Sequence, residues 1–275
     1  MRADQTILFS DLDGTLFTSR SEVAPEDRAA IERYVAAGGL FAISSGRAPY
    51  NARQFLPGVP VNAPSVVFNG AGAYDYGTGE YLFCELLDRA AFDAALARVR
   101  AEIPCFDLQV YTENEILYCT PEETAQPELL RLHRPCRFVG FDGIAGETIV
   151  KCLLYAPGAY DAALGAILHR AAEGRFVCLE ASLSKGSPLH YYELMPLGTN
   201  KGAALHALRT HPRLAGRTVL AAGDYRNDLE LLREADVPIA PDNALDEVKA
   251  IARYVTVSND EHAVAHILSD ILPAL

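Results

Sequence analysis

Positive charge is scarce in this chain. Lys and Arg number 24 against 36 Asp and Glu over 275 residues, a net charge of −12, and four residues are lysines. So acidic a balance argues against nucleic acid and anionic membrane as general partners, because both need a basic footprint. Long apolar runs are missing as well. No stretch approaches the roughly 18 uninterrupted apolar residues of a membrane span. The polar opening MRADQT does not read as a secretory leader, so a cytoplasmic location is expected. No CxxC pair occurs, which removes the local signal for a zinc or redox site. The six cysteines, Cys84, Cys105, Cys119, Cys136, Cys152 and Cys178, all fall in the middle of the chain. A chain this large and apolar needs no disulfide staples, so reduced and mostly buried thiols are expected. No internal repeat or low-complexity stretch is visible.

What is present is an ordinary globular balance, 50% apolar and 22% charged, at a length that suits one large domain or two smaller ones. Thr6-Ile7-Leu8-Phe9 reads as a buried strand running into a loop, and Pro25 opens a helix with Ile31, Tyr34 and Val35 on one face. Residues 40–43 and 65–68 read as further buried strands. This alternation predicts a doubly wound parallel sheet. From about residue 80 the texture changes. Asp88 can cap a helix bearing Phe92, Leu96 and Val99, and strands at 106–111, 116–119, 149–155, 176–180 and 190–194 follow through short turns, with a helix near 160–173. That pattern predicts an antiparallel sheet with helices on one face. The first texture then returns: a helix from Asn200, strands at 218–222, 237–240 and 254–257, and a helix from Arg226. The expected fold is therefore an α/β core of residues 1–80 and 193–275, interrupted by an inserted α+β domain over 81–192.

Ligands of open parallel sheets bind beyond the carboxyl ends of the strands. The residues there are Asp11-Leu12-Asp13-Gly14-Thr15 after the first strand, Ser44-Ser45-Gly46-Arg47 after the second, and Gly223 to Asp228 after the strand ending at Ala222. Lys201 opens a helix among them. Packing alone does not explain such a convergence, since buried charges without partners are costly. The set suits phosphoryl transfer. A carboxylate can attack phosphorus, a second acid can serve the leaving oxygen and then water, and lysine and serine can hold the phosphoryl oxygens. Carboxylate and carbonyl oxygens make a hard site suited to Mg²⁺.

The four pieces, DLDGT at 11–15, SGR at 45–47, Lys201 in GTNKGAAL and GDYRND at 223–228, resemble the motifs of the haloacid dehalogenase superfamily in order. The inserted segment and Asn69-Gly70-Ala71 resemble its Cof-type sugar-phosphate phosphatases, which carry a type II cap. The resemblance implies a Rossmann-like core with Asp11 as nucleophile and Asp13 as general acid and base. It implies that Ser45 and Lys201 hold the phosphoryl group, and that Leu12, Gly46, Arg47, Asn69 and Asn227 lie on the phosphate or substrate side. Mg²⁺ is implied at Asp11, the Asp13 carbonyl and Asp224, with Asp228 in support. The expected activity is Mg²⁺-dependent hydrolysis of small phosphomonoesters, sugar phosphates above all, through an aspartyl-phosphate intermediate; a phosphomutase on the same scaffold and a non-catalytic phosphometabolite sensor are the alternatives.

Competing readings attach to several of these residues. DxDG also suits a calcium loop, with Glu22 at its twelfth place, but Leu16 stands where that loop needs glycine. Lys185 is the rival of Lys201 and sits in a turn of the insertion. Ser45 could cap a loop and Arg47 could form a structural ion pair. His262 and His266 have the spacing of two ligands on a helix, yet no third ligand is near in sequence, so an ordinary surface face is expected. The run Ile239-Ala240-Pro241-Asp242-Asn243-Ala244 replaces the relatives' Met-Gly-Asn-Ala, and His262-Ala263-Val264 replaces Asp-Gly-Val. Substrate choice is expected to lie in the cap. Arg98, Arg131, Arg134 and Arg137 could meet an anion there, although 81–191 holds 10 basic against 15 acidic residues. No motif specifies an oligomeric state.

Overall fold

The computed structural model describes residues 1–127, 130, 136–182 and 190–275. Lys185, Arg131 and Arg134 lie outside the described residues. The chain divides into two compact units, 1–83 with 200–275, and 84–199. Residues 193–199 therefore group with the insertion rather than with the core, because Glu193 and its neighbours belong to a strand, His190–Pro196, that pairs wholly within the second unit.

The first unit is built on five parallel strands in the order Tyr254–Val255, Val237–Ala240, Thr218–Ala222, Thr6–Ser10 and Leu40–Ile43. The central strands are apolar along nearly their whole length because both faces are covered. Leu8, Phe41, Leu220 and Ile239 pack on one side with Ile31 and Tyr34 of the Pro25–Ala36 helix. Ile7, Phe9, Val219 and Ala221 pack on the other with Leu205, Leu208, Leu231 and Leu232. From Thr6–Ser10 the chain steps one way to Leu40–Ile43, and it later returns on the opposite side as Thr218–Ala222. The order thus reverses beside Thr6–Ser10, which opens a crevice between the loops that follow these two neighbouring strands.

Ser65–Val67 runs parallel to the edge of the main sheet, bridged from Ser44 to Val66 and bonded through the Ser45 N–H to the Val66 carbonyl at 3.0 Å and the Ile43 N–H to the Ser65 hydroxyl at 3.1 Å. Its ladder, however, is antiparallel, with Gly72–Asp75 in a separate three-stranded sheet completed by Glu80–Cys84. The turn that follows explains the reversal. Phe68 and Asn69 both take positive φ, 52° and 55°, and Gly70 takes 98°, folding the chain back on itself. The helix expected from Arg226 is also split. Arg226–Asp228 forms a 3₁₀ turn before Leu229–Glu234 becomes α-helical, since Asp228 is drawn inward by the contacts described below.

The second unit is a six-stranded sheet in the order Phe176–Ser182, His190–Pro196, Lys151–Tyr155, Asp107–Tyr111, Ile116–Tyr118 and Arg137–Phe138. Its pairings are antiparallel except between Ile116–Tyr118 and Arg137–Phe138. One face, with Leu108, Val110, Cys152, Leu154 and Leu194, packs on the helices Arg89–Glu102 and Gly158–Ala172. Asp88 caps the first of these, accepting the Ala91 N–H at 3.0 Å. The opposite face carries Gln109, Tyr111, Lys151 and Glu193, all buried, with Lys151 and Glu193 paired at 2.8 Å. Arg98 and Arg137 pair at the surface with Glu102 and Glu115. The six cysteines are thiols rather than disulfides, but full burial reaches two of them, Cys119 and Cys152, while Cys105 is exposed. No helix among the described residues is long and apolar enough to cross a membrane.

Candidate active site

Asp11 continues the first strand by one residue. Its N–H donates to the Ala222 carbonyl at 2.9 Å, which ties the start of one acidic loop to the root of the other. Lys201 stands at the first position of the Lys201–Leu208 helix, which Asn200 caps by accepting the Ala203 N–H at 2.8 Å. Its ammonium donates to Asp11 Oδ1 and Asp228 Oδ1, each at 2.6 Å. Lys201 and Asp228 are wholly buried and Asp11 nearly so. The second Asp228 oxygen accepts the N–H groups of Asp224 and Tyr225 at 3.0 and 3.1 Å. Asp228 therefore holds Lys201 through one oxygen and the Asp224 turn through the other.

Carboxylate oxygens of Asp11, Asp224 and Asp228 lie within 4.8 Å of one another. Three carboxylates facing one ammonium would, all ionised, leave an excess of two negative charges in a water-poor place. The protonation equilibria register that crowding. Burial raises the Asp11 pKa well above the usual carboxylate range against the pull of Lys201, and Asp228, Asp224 and Asp13 push it the same way. Burial, then Asp228, lifts Asp224 to about 7, while Lys201 and the Thr15 hydroxyl oppose them. For Lys201 burial works against the charge, yet Asp11 and Asp228 outweigh it and raise its pKa, so it is an ammonium. A hard divalent cation fits this donor set: it would cancel the excess charge and takes oxygen ligands. Asp11 and Asp224 would hold it directly, with Asp228 in support.

Gly14 and Thr15 close the crevice from the Asp11 side. Gly14 takes φ +86°, and a Cβ there would stand 2.4 Å from Asp224 Oδ2, so no larger residue fits. The Thr15 hydroxyl donates to Asp224 Oδ1 at 3.3 Å. Thr15 is a site residue that motif reading did not single out, although it belongs to the same DLDGT run. The position, but not the partner, was visible there.

The remaining candidates sort by what they touch. The Asp13 carboxylate is exposed and is gripped by Arg47 through two bonds, Nε to Oδ2 at 2.8 Å and Nη2 to Oδ1 at 2.7 Å. The guanidinium lies 4.5 Å from the Phe55 ring centre and 5.6 Å from that of Phe17, and Nη1 also donates to Asn51. The ion-pair reading of Arg47 therefore describes this state. Ser45 is buried, and its hydroxyl accepts the Arg47 N–H at 3.2 Å. Gly46 allows a close approach, for a Cβ would meet the Asn69 amide at 2.9 Å. Asn69 in turn accepts from Asn227 Nδ2 at 3.0 Å. Gly70 passes so near the Asn200 carbonyl that a Cβ would lie 2.1 Å from it, which seats the 68–70 turn on the end of the lysine helix. Leu12 differs from the rest: its side chain is buried in the core, so only its main chain can face a ligand. His262 and His266 do not act as a pair. His266 Nδ1 bonds the Thr256 hydroxyl at 2.8 Å, whereas His262 faces Glu26 and Asp27 at 3.8 and 4.0 Å.

Comparison with known proteins agrees with this architecture. Residues 8–268 match the family model described as haloacid dehalogenase-like hydrolase. The chain is 29% identical to the 5-amino-6-(5-phospho-D-ribitylamino)uracil phosphatase YwtE of Bacillus subtilis, over 95% of this chain and 96% of that protein. A haloacid dehalogenase-like hydrolase from Bacteroides thetaiotaomicron superposes with a TM-score of 0.85 at 23% identity, covering 97% of this chain and 99% of the other. The subclass IIB sugar phosphatase BT4131 superposes at 0.77 with 19% identity, covering 97% and 98%. At these identities the two solved structures speak for the fold.

Proposed function

The chain belongs to the haloacid dehalogenase-like hydrolase family, and on that premise we propose that it hydrolyses small phosphomonoesters, sugar and polyol phosphates above all, through an aspartyl-phosphate on Asp11. The observation that carries this reading is the buried Asp11–Lys201–Asp228 set with Asp224 beside it. Lys201 engages one oxygen of Asp11, which orients the other for attack on phosphorus, and its positive charge offsets that gathering on the phosphoryl oxygens. Mg²⁺, when bound, supplies the further positive charge that lets a carboxylate and a phosphate approach each other. Asp13 gives a proton to the leaving oxygen and later takes one from the attacking water. Arg47 holds both Asp13 oxygens through one bond each and so favours the carboxylate over the acid that this transfer needs. Ser45, Gly46 and Asn227 are assigned to the phosphoryl side, Arg47 and Asn69 to the substrate side. We assign the chemistry to 1–83 with 200–275, and substrate choice to 84–199. The phosphorylated ribityl chain in the name of the Bacillus relative supports a polyol phosphate as one substrate class.

The test is phosphate release from a panel of sugar, polyol and nucleoside phosphates, with Mg²⁺ and with a chelator. Turnover that needs Mg²⁺ and falls roughly a thousandfold or more in Asp11→Asn supports the reading. No release from any compound by folded protein rejects it in favour of a sensor, and activity appearing only with a bisphosphorylated activator makes the protein a mutase.

A further inference from the structure

The run Pro241 to Leu245 and the turn at Asn259 stand outside the four motifs, yet both are bonded to the acidic loops. Asn243 Nδ2 donates to the Gly14 carbonyl at 2.7 Å. Its Oδ1 accepts the Asn259 N–H at 2.9 Å. Asn259 Nδ2, nearly buried, donates to the Phe17 carbonyl at 2.8 Å. Two residues past Asn243, the Leu245 N–H donates to the Asp224 carbonyl at 3.0 Å. One short segment therefore grips both the Asp11–Phe17 loop and the loop bearing Asp224. The Asn259 turn is itself stiffened by Ser258 and Glu261, whose side chains bond across it at 2.7 Å.

We propose that Asn243 and Asn259 are positioning residues that set the separation of Asp11 from Asp224, and thereby the affinity of the carboxylate cluster for its divalent cation. The reason lies in Gly14. Asn243 holds the carbonyl of its following peptide, while the Thr15 N–H on that same peptide is drawn to the Leu12 carbonyl at 3.4 Å. A peptide held at both ends cannot rotate freely, and Gly14, at positive φ, is otherwise the loosest joint of the loop. Carboxylates that repel one another would spread the loops were the joint left free. Neither asparagine reaches the reacting atoms through any bond described; each acts through the main chain.

The inference rests on the Mg²⁺-dependent hydrolase reading, and its test separates the two. Asn243→Leu keeps the branched outline, though bulkier, and removes both bonds; Asn243→Ala and Asn259→Ala serve as independent variants should the first not fold. Mg²⁺ binding is measured by calorimetry, hydrogen exchange over residues 12–19 by mass spectrometry, and kcat and KM on the best substrate. The expected result is Mg²⁺ affinity weakened about tenfold and exchange over 12–19 accelerated. At saturating Mg²⁺, kcat falls while KM stays within about twofold. Folded variants whose Mg²⁺ affinity and 12–19 exchange match the parent overturn the proposal. Should the parent release no phosphate from any compound, the hydrolase reading fails, and calorimetry and exchange alone still decide whether the asparagines position the cluster.

Discussion

At the scale of single residues, Lys201 carries the heaviest demand. It is one ammonium, wholly buried, between two carboxylates at 2.6 Å. Removing it leaves Asp11 and Asp228 to face each other and Asp224 with no internal cation. Lys201→Ala is expected to abolish turnover and to lower stability by roughly 3–5 kcal/mol, the usual cost of breaking a buried pair by deleting one partner. Chemical denaturation with and without Mg²⁺ checks this. Because added cation restores part of the missing charge, the loss should be smaller with Mg²⁺ present. Gly14 makes the complementary demand of space. Gly14→Ala forces a methyl group against Asp224 and asks alanine to hold φ +86°. It should cut turnover by at least tenfold, measured against an unchanged circular dichroism spectrum.

At the scale of elements, the join between the Pro25–Ala36 helix and the C-terminal helices makes stability depend on pH. Asp27 is buried in the first turn of its helix and accepts the Ala265 N–H at 2.7 Å through Oδ1. Oδ2 has no hydrogen-bond partner among the described residues, and His262 Nδ1 stands 4.0 Å from it. Burial raises the Asp27 pKa to about 6, against the pull of the Ala265 N–H and His262, with Glu26 adding to the rise. The folded state thus binds this proton more tightly than the unfolded chain. The contribution is fully present below the unfolded value near 4 and is lost as pH climbs through about 6. Unfolding free energy should fall by up to about 3 kcal/mol over that window on account of this group. Asp27→Asn should flatten the fall, since its carbonyl can still accept from Ala265. Denaturation curves at pH 4, 5, 6 and 7 for both proteins decide it. An identical slope in the two would show that other groups set the pH dependence.

At the scale of the whole molecule, all the carboxylates assigned to the cation belong to the first unit, while 84–199 holds a core of its own. A ligand that binds only the folded state stabilises what it binds, by about 2.7 kcal/mol at a hundred times its dissociation constant. Scanning calorimetry with Mg²⁺ and with a chelator should therefore move the transition that reports 1–83 and 200–275. Asp224→Ala should erase the shift. A shift of equal size in Asp224→Ala would place the cation elsewhere.

Much of this was legible in the sequence, for identifiable reasons. The strands Thr218–Ala222 and Val237–Ala240 lie where apolar runs bounded by turn residues place them. Asp88 and Asn200 cap the helices they were expected to open, because a cap bonds within three residues and is written locally. Asp11, Asp224 and Lys201 stand at strand and helix ends, where an α/β sheet gathers its ligands. Other features depend on neighbours far along the chain. The antiparallel turn-back of Ser65–Val67 follows from two successive left-handed residues at 68 and 69, which no apolar pattern announces. Composition cannot show that Arg47 grips Asp13, 34 residues away, or that Asn243 reaches Gly14 across 229 positions. By itself, then, the sequence determined the elements, the order of the core strands' chemistry and the identity of the acids, since periodicity, caps and strand ends act over a few residues. Only the tertiary structure decided which acid meets which base, because those bonds depend on distances that folding alone brings below 3 Å.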